Sequence, residues 1–210
     1  MSTPQDLANW LDGKLTGDCL TPEAGARRYF RSTHSDAIGW LRVTSPDPAP
    51  TATTDFLTQC GIRVPRLGAQ TDGVYLVEDL GDRHLADAPT LGAYRELLSA
   101  WHQFSFRDLS PGHPNRQFTL DPQLFRKELA LFLEAYLEGS CSLKISDGLR
   151  NELVNASETL ANLACEGPWS LQHRDFHSRN VLLPSKGPLA ILDHQDLRPG
   201  PVFYDLCSLS

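Results

Sequence analysis

No apolar run in this 210-residue chain approaches the ~20 residues that a membrane-spanning helix needs. Residues Met1 to Trp10 lack a basic stretch followed by an apolar one, so no signal peptide is expected. The five cysteines, Cys19, Cys60, Cys141, Cys165 and Cys207, are odd in number, scattered and never in a Cys-x-x-Cys pair. That pattern speaks against a disulfide framework and predicts reduced, mostly structural thiols in a cytoplasmic protein. Basic residues are in the minority, 19 Lys and Arg against 26 Asp and Glu, for a net charge of −7. Without a basic face, nucleic acid is excluded as a first expectation. An anionic nucleotide is still compatible, because backbone amides and a metal act locally against a negative global field. Internal repeats and low-complexity tracts are absent. With 40% apolar and 21% charged residues the composition is that of an ordinary globular chain.

The order of elements predicts an α+β fold with strands first and helices later. A short helix is expected over Asp6 to Leu15, a turn-rich stretch at Gly17 to Pro22, and a hairpin of Ala26 to Ser32 with Ala37 to Val43. Thr54 to Cys60 reads as a helix closed by Gly61. Val74 to Val77 is a strand running into the acidic turn Glu78 to Asp82, where a boundary divides 1–80 from 81–210. Three helices follow. Leu91 to Phe106 carries apolar residues at helical spacing. Pro122 to Leu137 has Asp121 as N-cap and the stripe Phe125, Leu129, Phe132, Leu133 and Tyr136. Asp147 to Ala164 is expected to face inward through Leu149, Leu153, Leu160 and Leu163. A strand-loop-strand unit, Ser170 to Leu192, comes last.

Its loop, His173-Arg174-Asp175-Phe176-His177-Ser178-Arg179-Asn180, is dense in polar groups between apolar flanks, which marks a site. Thirteen residues past Asn180 stands Asp193, at the end of the apolar run Leu189 to Leu192. Phosphoryl transfer needs a carboxylate for the hydroxyl proton, oxygen ligands for Mg²⁺ and positive charge at the transferring group. His-Arg-Asp-x4-Asn followed by a strand-end Asp supplies these in order: Asp175 as base, Asn180 and Asp193 as metal ligands, Arg179 as the cation. His173 reads as a brace of the loop. His177 and His194 read as hydrogen-bonded loop histidines, and Asp205 by itself as a helix cap.

With Ile191-Leu192-Asp193-His194-Gln195-Asp196 and Gly200-Pro201-Val202-Phe203-Tyr204-Asp205-Leu206, this loop resembles the catalytic core of the aminoglycoside-phosphotransferase/choline-kinase superfamily, a branch of the protein-kinase-like fold. Within it the chain is most similar to bacterial kinases that phosphorylate N-acetylmuramate and N-acetylglucosamine at C1 in cell-wall recycling. Glu23 to Arg31 resembles that branch's phosphate-loop hairpin, Leu76 to Asp82 its hinge, and Arg126 to Phe132 a helix on the acceptor side. The resemblance implies a bilobal fold, with a small β-rich N-lobe over the nucleotide and a mostly helical C-lobe. It implies ATP or GTP with Mg²⁺, a small-molecule sugar as acceptor, and neither nucleic acid nor membrane as partner. Gly25, Ala26, Arg27 and Arg28 would cover the phosphates through backbone amides, and Glu78, Asp79 and Leu80 would meet the adenine edge. Asp205 would brace the catalytic loop from behind. Gln195, Asp196 and Glu128 are candidates for acceptor contacts.

Two departures from the family pattern stand out. Many kinases grip the α- and β-phosphates with a strand lysine, but the four lysines here, Lys14, Lys127, Lys144 and Lys186, lie in no strand of the first lobe. Arg42 or Arg28 are the expected substitutes, though Arg and Lys differ at such a site. Family members also continue with further helices, so a missing C-terminal segment or a partner is expected to complete the acceptor lobe. Other readings are an aminoglycoside or other small-alcohol kinase, a truncated remnant that only binds nucleotide, and a metal-dependent hydrolase. The hydrolase reading takes His173-x-Asp175-x-His177 and Asp193-His194 as a metal cluster. A protein kinase is disfavoured: Asp193 is not followed by Phe-Gly, and 17 residues leave no room for an activation loop.

Overall fold

A computed structural model describes residues 4–14, 17–20, 26–33 and 39–209. The chain divides into two compact units, one formed by the described residues up to Phe104 with His177–Gln195, the other by Ser105–Phe176 with Asp196–Ser210. The Glu78–Asp82 turn lies inside the first unit.

The first unit is built on a five-stranded antiparallel sheet in the order β1-β2-β3-β5-β4. Its strands are β1 (Gly17–Cys19), β2 (Arg28–Ser32), β3 (Trp40–Thr44), β4 (Leu67–Thr71) and β5 (Val74–Glu78). The register Tyr29↔Val43↔Tyr75 and Leu41↔Val77 puts these five side chains on one face. The opposite face carries Phe30, Trp40, Val74 and Leu76, packed on Trp10 and Leu11 of helix α1 (Pro4–Leu11). Gly17 is needed because a Cβ there would strike the Trp10 ring and the Arg31 carbonyl.

Helix α2 (Thr51–Gln59) ends at Cys60, and Gly61 at φ +79° turns the chain out so that Ile62 N donates to Leu57 O at 3.0 Å. After helix α3 (Leu91–Ser105), the unit is completed by the short hairpin β7 (Val181–Leu182) and β8 (Ala190–Ile191).

Two strands of this sheet go beyond the expected set. β1 lies in what reads as a turn-rich stretch, and β4 has no apolar alternation, since Gly68 and Ala69 stand where larger residues would announce a strand. Gly68 is small for a reason: a Cβ would lie 2.9 Å from Trp40 and 3.1 Å from Leu76.

In the second unit, helix α4 (Pro122–Leu131) starts as expected, with Asp121 Oδ1 accepting from Leu124 N at 2.9 Å. It does not continue as an α-helix to Leu137. Phe132–Ser140 is π-helical, and Cys141 N donates to Tyr136 O at 2.8 Å. The wider period dissolves the expected stripe. Leu133 is buried, while Phe132 and Tyr136 are exposed and stack on each other at 5.4 Å.

Helix α5 (Asp147–Ala164) has the expected bounds but another inner face. Leu149, Leu160 and Leu163 are exposed, and the shielded line is Arg150, Leu153, Ser157 and Ala161. Helix α5 packs against α4, and the short side chains at 157 and 161 on the shielded line suit a close approach. The antiparallel pair β6 (Trp169–Gln172) and β9 (Arg198–Pro201) and the short helix α6 (Tyr204–Cys207) finish the unit. Among the described residues no helix is long and apolar enough to cross a membrane, and none of the five cysteines forms a disulfide.

A Cβ at Gly200 would lie 2.7 Å from Leu120 Cβ and Cδ1. Gly200→Ala should therefore cost about 1–3 kcal/mol, read as a lower urea midpoint. Gly148, on α5 with open space around it, provides the contrast. Gly148→Ala should raise the midpoint, by up to about 1 kcal/mol of stability.

Candidate active site

A cavity of about 510 Å³ opens in the first unit. Apolar side chains from both ends of the sheet face and from the β7–β8 region form its walls: Leu20, Leu41, Val77, Leu182 and Leu192 among them. Into this apolar chamber project Arg27, Asn180, Asp193 and Gln195.

The hairpin β7–β8 explains how Asn180 and Asp193 come together. Pairing of Val181 with Ile191 places the residue before β7 beside the residue after β8. Leu192 N then donates to Asn180 O at 2.8 Å, and Asp193 follows directly. The stretch after the Glu78–Asp82 turn locks the same loop. Leu85 N donates to Val181 O at 2.8 Å, Ala86 N to Ser178 O at 3.2 Å, and His84 Nδ1 to Arg179 O at 2.5 Å. From the other side, Thr54 Oγ1 of α2 and His194 Nε2 share a buried 2.8 Å hydrogen bond.

Asp193 sits at φ +57°, in the left-handed region that Asp tolerates better than most residues. Its Oδ1 accepts from Gln195 Nε2 at 2.8 Å and lies 3.4 Å from Arg27 Nη1. Tyr75, on the wall, has its phenol pushed up to about 12 by burial, with the Tyr29 ring adding and Arg27 opposing. It stays a neutral O–H at physiological pH.

The expected nucleotide-contacting residues divide. Arg27, Glu78 and Leu80 line the cavity. Gly25 lies outside the described residues. Ala26 and Arg28 are exposed and absent from the wall, with Arg28 Nη1 donating to Arg27 O at 3.3 Å. Arg42 is directed to the other sheet face, because strand parity sets it opposite Leu41 and Val43. Its Nε donates to Leu11 O at 3.1 Å and its guanidinium lies 5.8 Å from the Phe30 ring centre. Asp79 is taken up by Arg31, which also binds Asp82, at 2.5–2.8 Å. The pairing holds Arg31 charged and Asp82 well below its ordinary value. Arg179 is exposed.

The second unit holds the remaining expected residues. Asp205 is fully buried and accepts from His173 N at 2.6 Å and Arg174 N at 3.0 Å; its own amide donates to Gln172 Oε1 at 3.0 Å. The carboxylate thus pins the two residues directly ahead of Asp175, the second of which, Arg174, turns through φ +82°. Asp175 is half-buried. Glu128 and Asp196 come together on Arg174, at 3.3 and 3.5 Å, and Asp196 also pairs with Arg198 at 2.6 Å.

One carboxylate and one amide side chain on a shared wall fit Mg²⁺, which keeps positions for water and phosphate oxygens. Among the described residues no group of three or more His, Cys, Asp or Glu could hold a metal ion. A zinc-type hydrolase centre, which needs about three protein ligands, therefore lacks its ligand count. Sequence reasoning passed over Tyr75, Thr54 and the wall role of His194. Tyr75 shares the alternation of Val77 and was open to recognition. Thr54 and His194 lie 140 residues apart, with no pattern linking them.

Comparison with known proteins places the chain in a family. The model of the phosphotransferase enzyme family matches residues 23–210, and the chain belongs to that family. It is 30% identical, over an alignment 231 positions long including gaps, to the N-acetylmuramate/N-acetylglucosamine kinase of Pseudomonas aeruginosa, covering 98% of this chain and 67% of the relative. The Pseudomonas putida protein of the same name is 28% identical over an alignment of 230 positions, with 98% and 66% covered. The chain thus spans about two thirds of the length of these curated relatives. Among solved structures, the streptomycin–ATP ternary complex of APH(2")-IIa superposes with a TM-score of 0.65 at 13% identity, covering 98% of this chain and 75% of the other. A choline/ethanolamine kinase family protein from Mesorhizobium loti gives 0.59 at 14%, covering 93% and 64%. These structural likenesses establish the protein-kinase-like fold.

Burial pushes the Asp205 carboxyl from its ordinary 3.8 up to about 7, against the two amide donors that pull it down. A raised acid takes up a proton on folding, so its contribution to stability is lost as pH climbs from about 4 to about 7. In urea unfolding between pH 5 and 7.5, the wild-type chain should lose on the order of 1–2 kcal/mol relative to Asp205→Asn. Parallel midpoints for the two chains across that range would refute the assignment.

Proposed function

We propose that this chain is an ATP- and magnesium-dependent kinase that phosphorylates a small-molecule hydroxyl, in particular C1 of an amino sugar such as N-acetylmuramate or N-acetylglucosamine. The observation that carries the reading is the placement of Asn180 and Asp193 on one apolar-walled cavity with a single arginine beside them. The named activity of the two Pseudomonas relatives supports the acceptor class.

On this reading the cavity takes the nucleotide, with the adenine toward Glu78 and Leu80 and the phosphates toward Arg27. Asn180 and Asp193 would hold Mg²⁺, which would supply positive charge to offset that of the phosphates. Asp175 orients the acceptor hydroxyl and receives its proton. Asp205 and His173 keep the Asp175 loop in one conformation through the buried amide–carboxylate bonds. Gln195 serves by holding Asp193. Glu128 and Asp196 are assigned to the acceptor, with Arg174 between them restraining both carboxylates. The exposed leucines of α5 are assigned to a further segment or partner on the acceptor side, and the site of action is assigned to the cytoplasm.

Asp175→Asn should lower turnover by about 10²–10⁴-fold while leaving ATP affinity within about twofold. Asp193→Ala should instead weaken magnesium-nucleotide binding itself. The decisive assay is ATP consumption with N-acetylmuramate, N-acetylglucosamine, an aminoglycoside and choline offered in turn. Turnover with an aminoglycoside or choline and not with the amino sugars would reassign the acceptor. Binding of ATP without turnover on any of them would make the chain a nucleotide-binding remnant.

A further inference from the structure

The strand lysine that grips nucleotide phosphates in many kinases has no counterpart here, and the structure assigns its task to Arg27, a residue just ahead of β2 and not on β3. This rests on the nucleotide reading above and adds the group that binds the polyphosphate and a coupling that follows from it.

Arg27 is the one Arg or Lys among the described residues of the cavity wall. The expected substitutes are engaged elsewhere, Arg42 on Leu11 O and Arg28 outside the wall. Arg27 stands two residues before Tyr29, on the same side of the strand as the face formed by Tyr29, Val43 and Tyr75. Its side chain is four-fifths buried, yet it is poorly matched. Nη1 reaches Asp193 Oδ1 only at 3.4 Å, at the long limit of a hydrogen bond, and the buried Nε has no partner among the described residues. A guanidinium presents five donors in a rigid fork, suited to paired oxygens of a phosphate. A buried, unmatched donor beside a cavity is an unfavourable arrangement in the absence of an anion. The chemistry that satisfies it is a nucleotide di- or triphosphate.

A second consequence concerns Asp193. The oxygen facing Arg27 already accepts from Gln195, so the metal-ligating carboxylate is occupied by a cation and an amide at once. A divalent ion arriving alone meets Arg27 beside it and is repelled. When a polyphosphate draws Arg27 away, the carboxylate is released. Metal and nucleotide then favour each other's binding, and linkage makes the effect reciprocal.

The test is calorimetric titration of the full chain with Mn²⁺ alone and with ATP in excess Mg²⁺, using wild type, Arg27→Gln and Arg27→Lys. The expected result has opposite signs: Arg27→Gln binds Mn²⁺ several-fold tighter and magnesium-ATP about tenfold or more weaker. Arg27→Lys, which keeps the charge but not the fork, lies between on both. Magnesium-ATP affinity within twofold of wild type in Arg27→Gln overturns the assignment. Weakening of both ligands, or of ATP with Mn²⁺ unchanged, overturns the coupling. A wild-type chain that binds neither Mn²⁺ nor magnesium-ATP removes the proposed function itself. That result is distinct from a wild type that binds both and is indifferent to Arg27.

Discussion

Two residue pairs, Val181 with Ile191 and Leu182 with Ala190, carry the arrangement on which the site depends. An antiparallel hairpin brings the start of one strand beside the end of the other, whatever the loop between them does. Asn180 immediately precedes the first strand and Asp193 follows the second after one residue, so two oxygen-bearing side chains share an end by topology alone. The strands are buried, with Val181 and Ile191 fully shielded from solvent, and hydrophobic burial therefore keeps the register. Polar residues at the tip cost stability, and the apolar pair behind them offsets it.

The polar groups at the tip work in surroundings that magnify their charge. Leucines and valines form much of the cavity wall, which lowers the local dielectric and strengthens every interaction of Asp193 with its neighbours. The backbone is strained at two non-glycine positions beside the assigned groups, Asp193 at φ +57° and Arg174 at φ +82°. Each is held by bonds to a different element: Asp193 through Gln195 and Arg27, and the Arg174 amide through Asp205. Strain of this kind persists only where the surroundings over-determine it. In the second unit that function falls to a single carboxylate whose two oxygens each take one amide.

Legibility in the sequence followed the range of the interaction. Helix α5 could be bounded at both ends because its signals are local, the cap Ser146, whose Oγ accepts from Leu149 N, and an uninterrupted helical stretch. Its inner face could not, since the close approach of α4 selects Ser157 and Ala161 over the more conspicuous leucines. The π-helical continuation of α4 leaves no mark in residue type. β4 lacks apolar alternation, although Asp72-Gly73 between it and β5, with Gly73 at φ +70°, is a strong hairpin signal. At the site, Asn180 and Asp193 could be read because topology and spacing determine their meeting. The Thr54–His194 bond could not, because nothing short of the folded chain brings α2 to that histidine.

Arg42 and Arg27 illustrate the same limit at the level of one strand. Both are arginines near the expected phosphate position, and composition does not separate them. Parity does. With Tyr29 opposite Val43 and Val43 opposite Tyr75, every even residue of β3 faces α1 and every odd one faces the cavity. Arg42 is thereby committed to the Leu11 carbonyl and the Phe30 ring. Placing the cation at the mouth of β2 changes more than its address. A strand-borne lysine is held by sheet pairing on both sides, whereas Arg27 precedes the first paired residue of β2 and is restrained chiefly by the carboxylate it faces. A cation so placed can exchange partners without disturbing the sheet, and its preference between Asp193 and an incoming anion is then set by electrostatics rather than by fold.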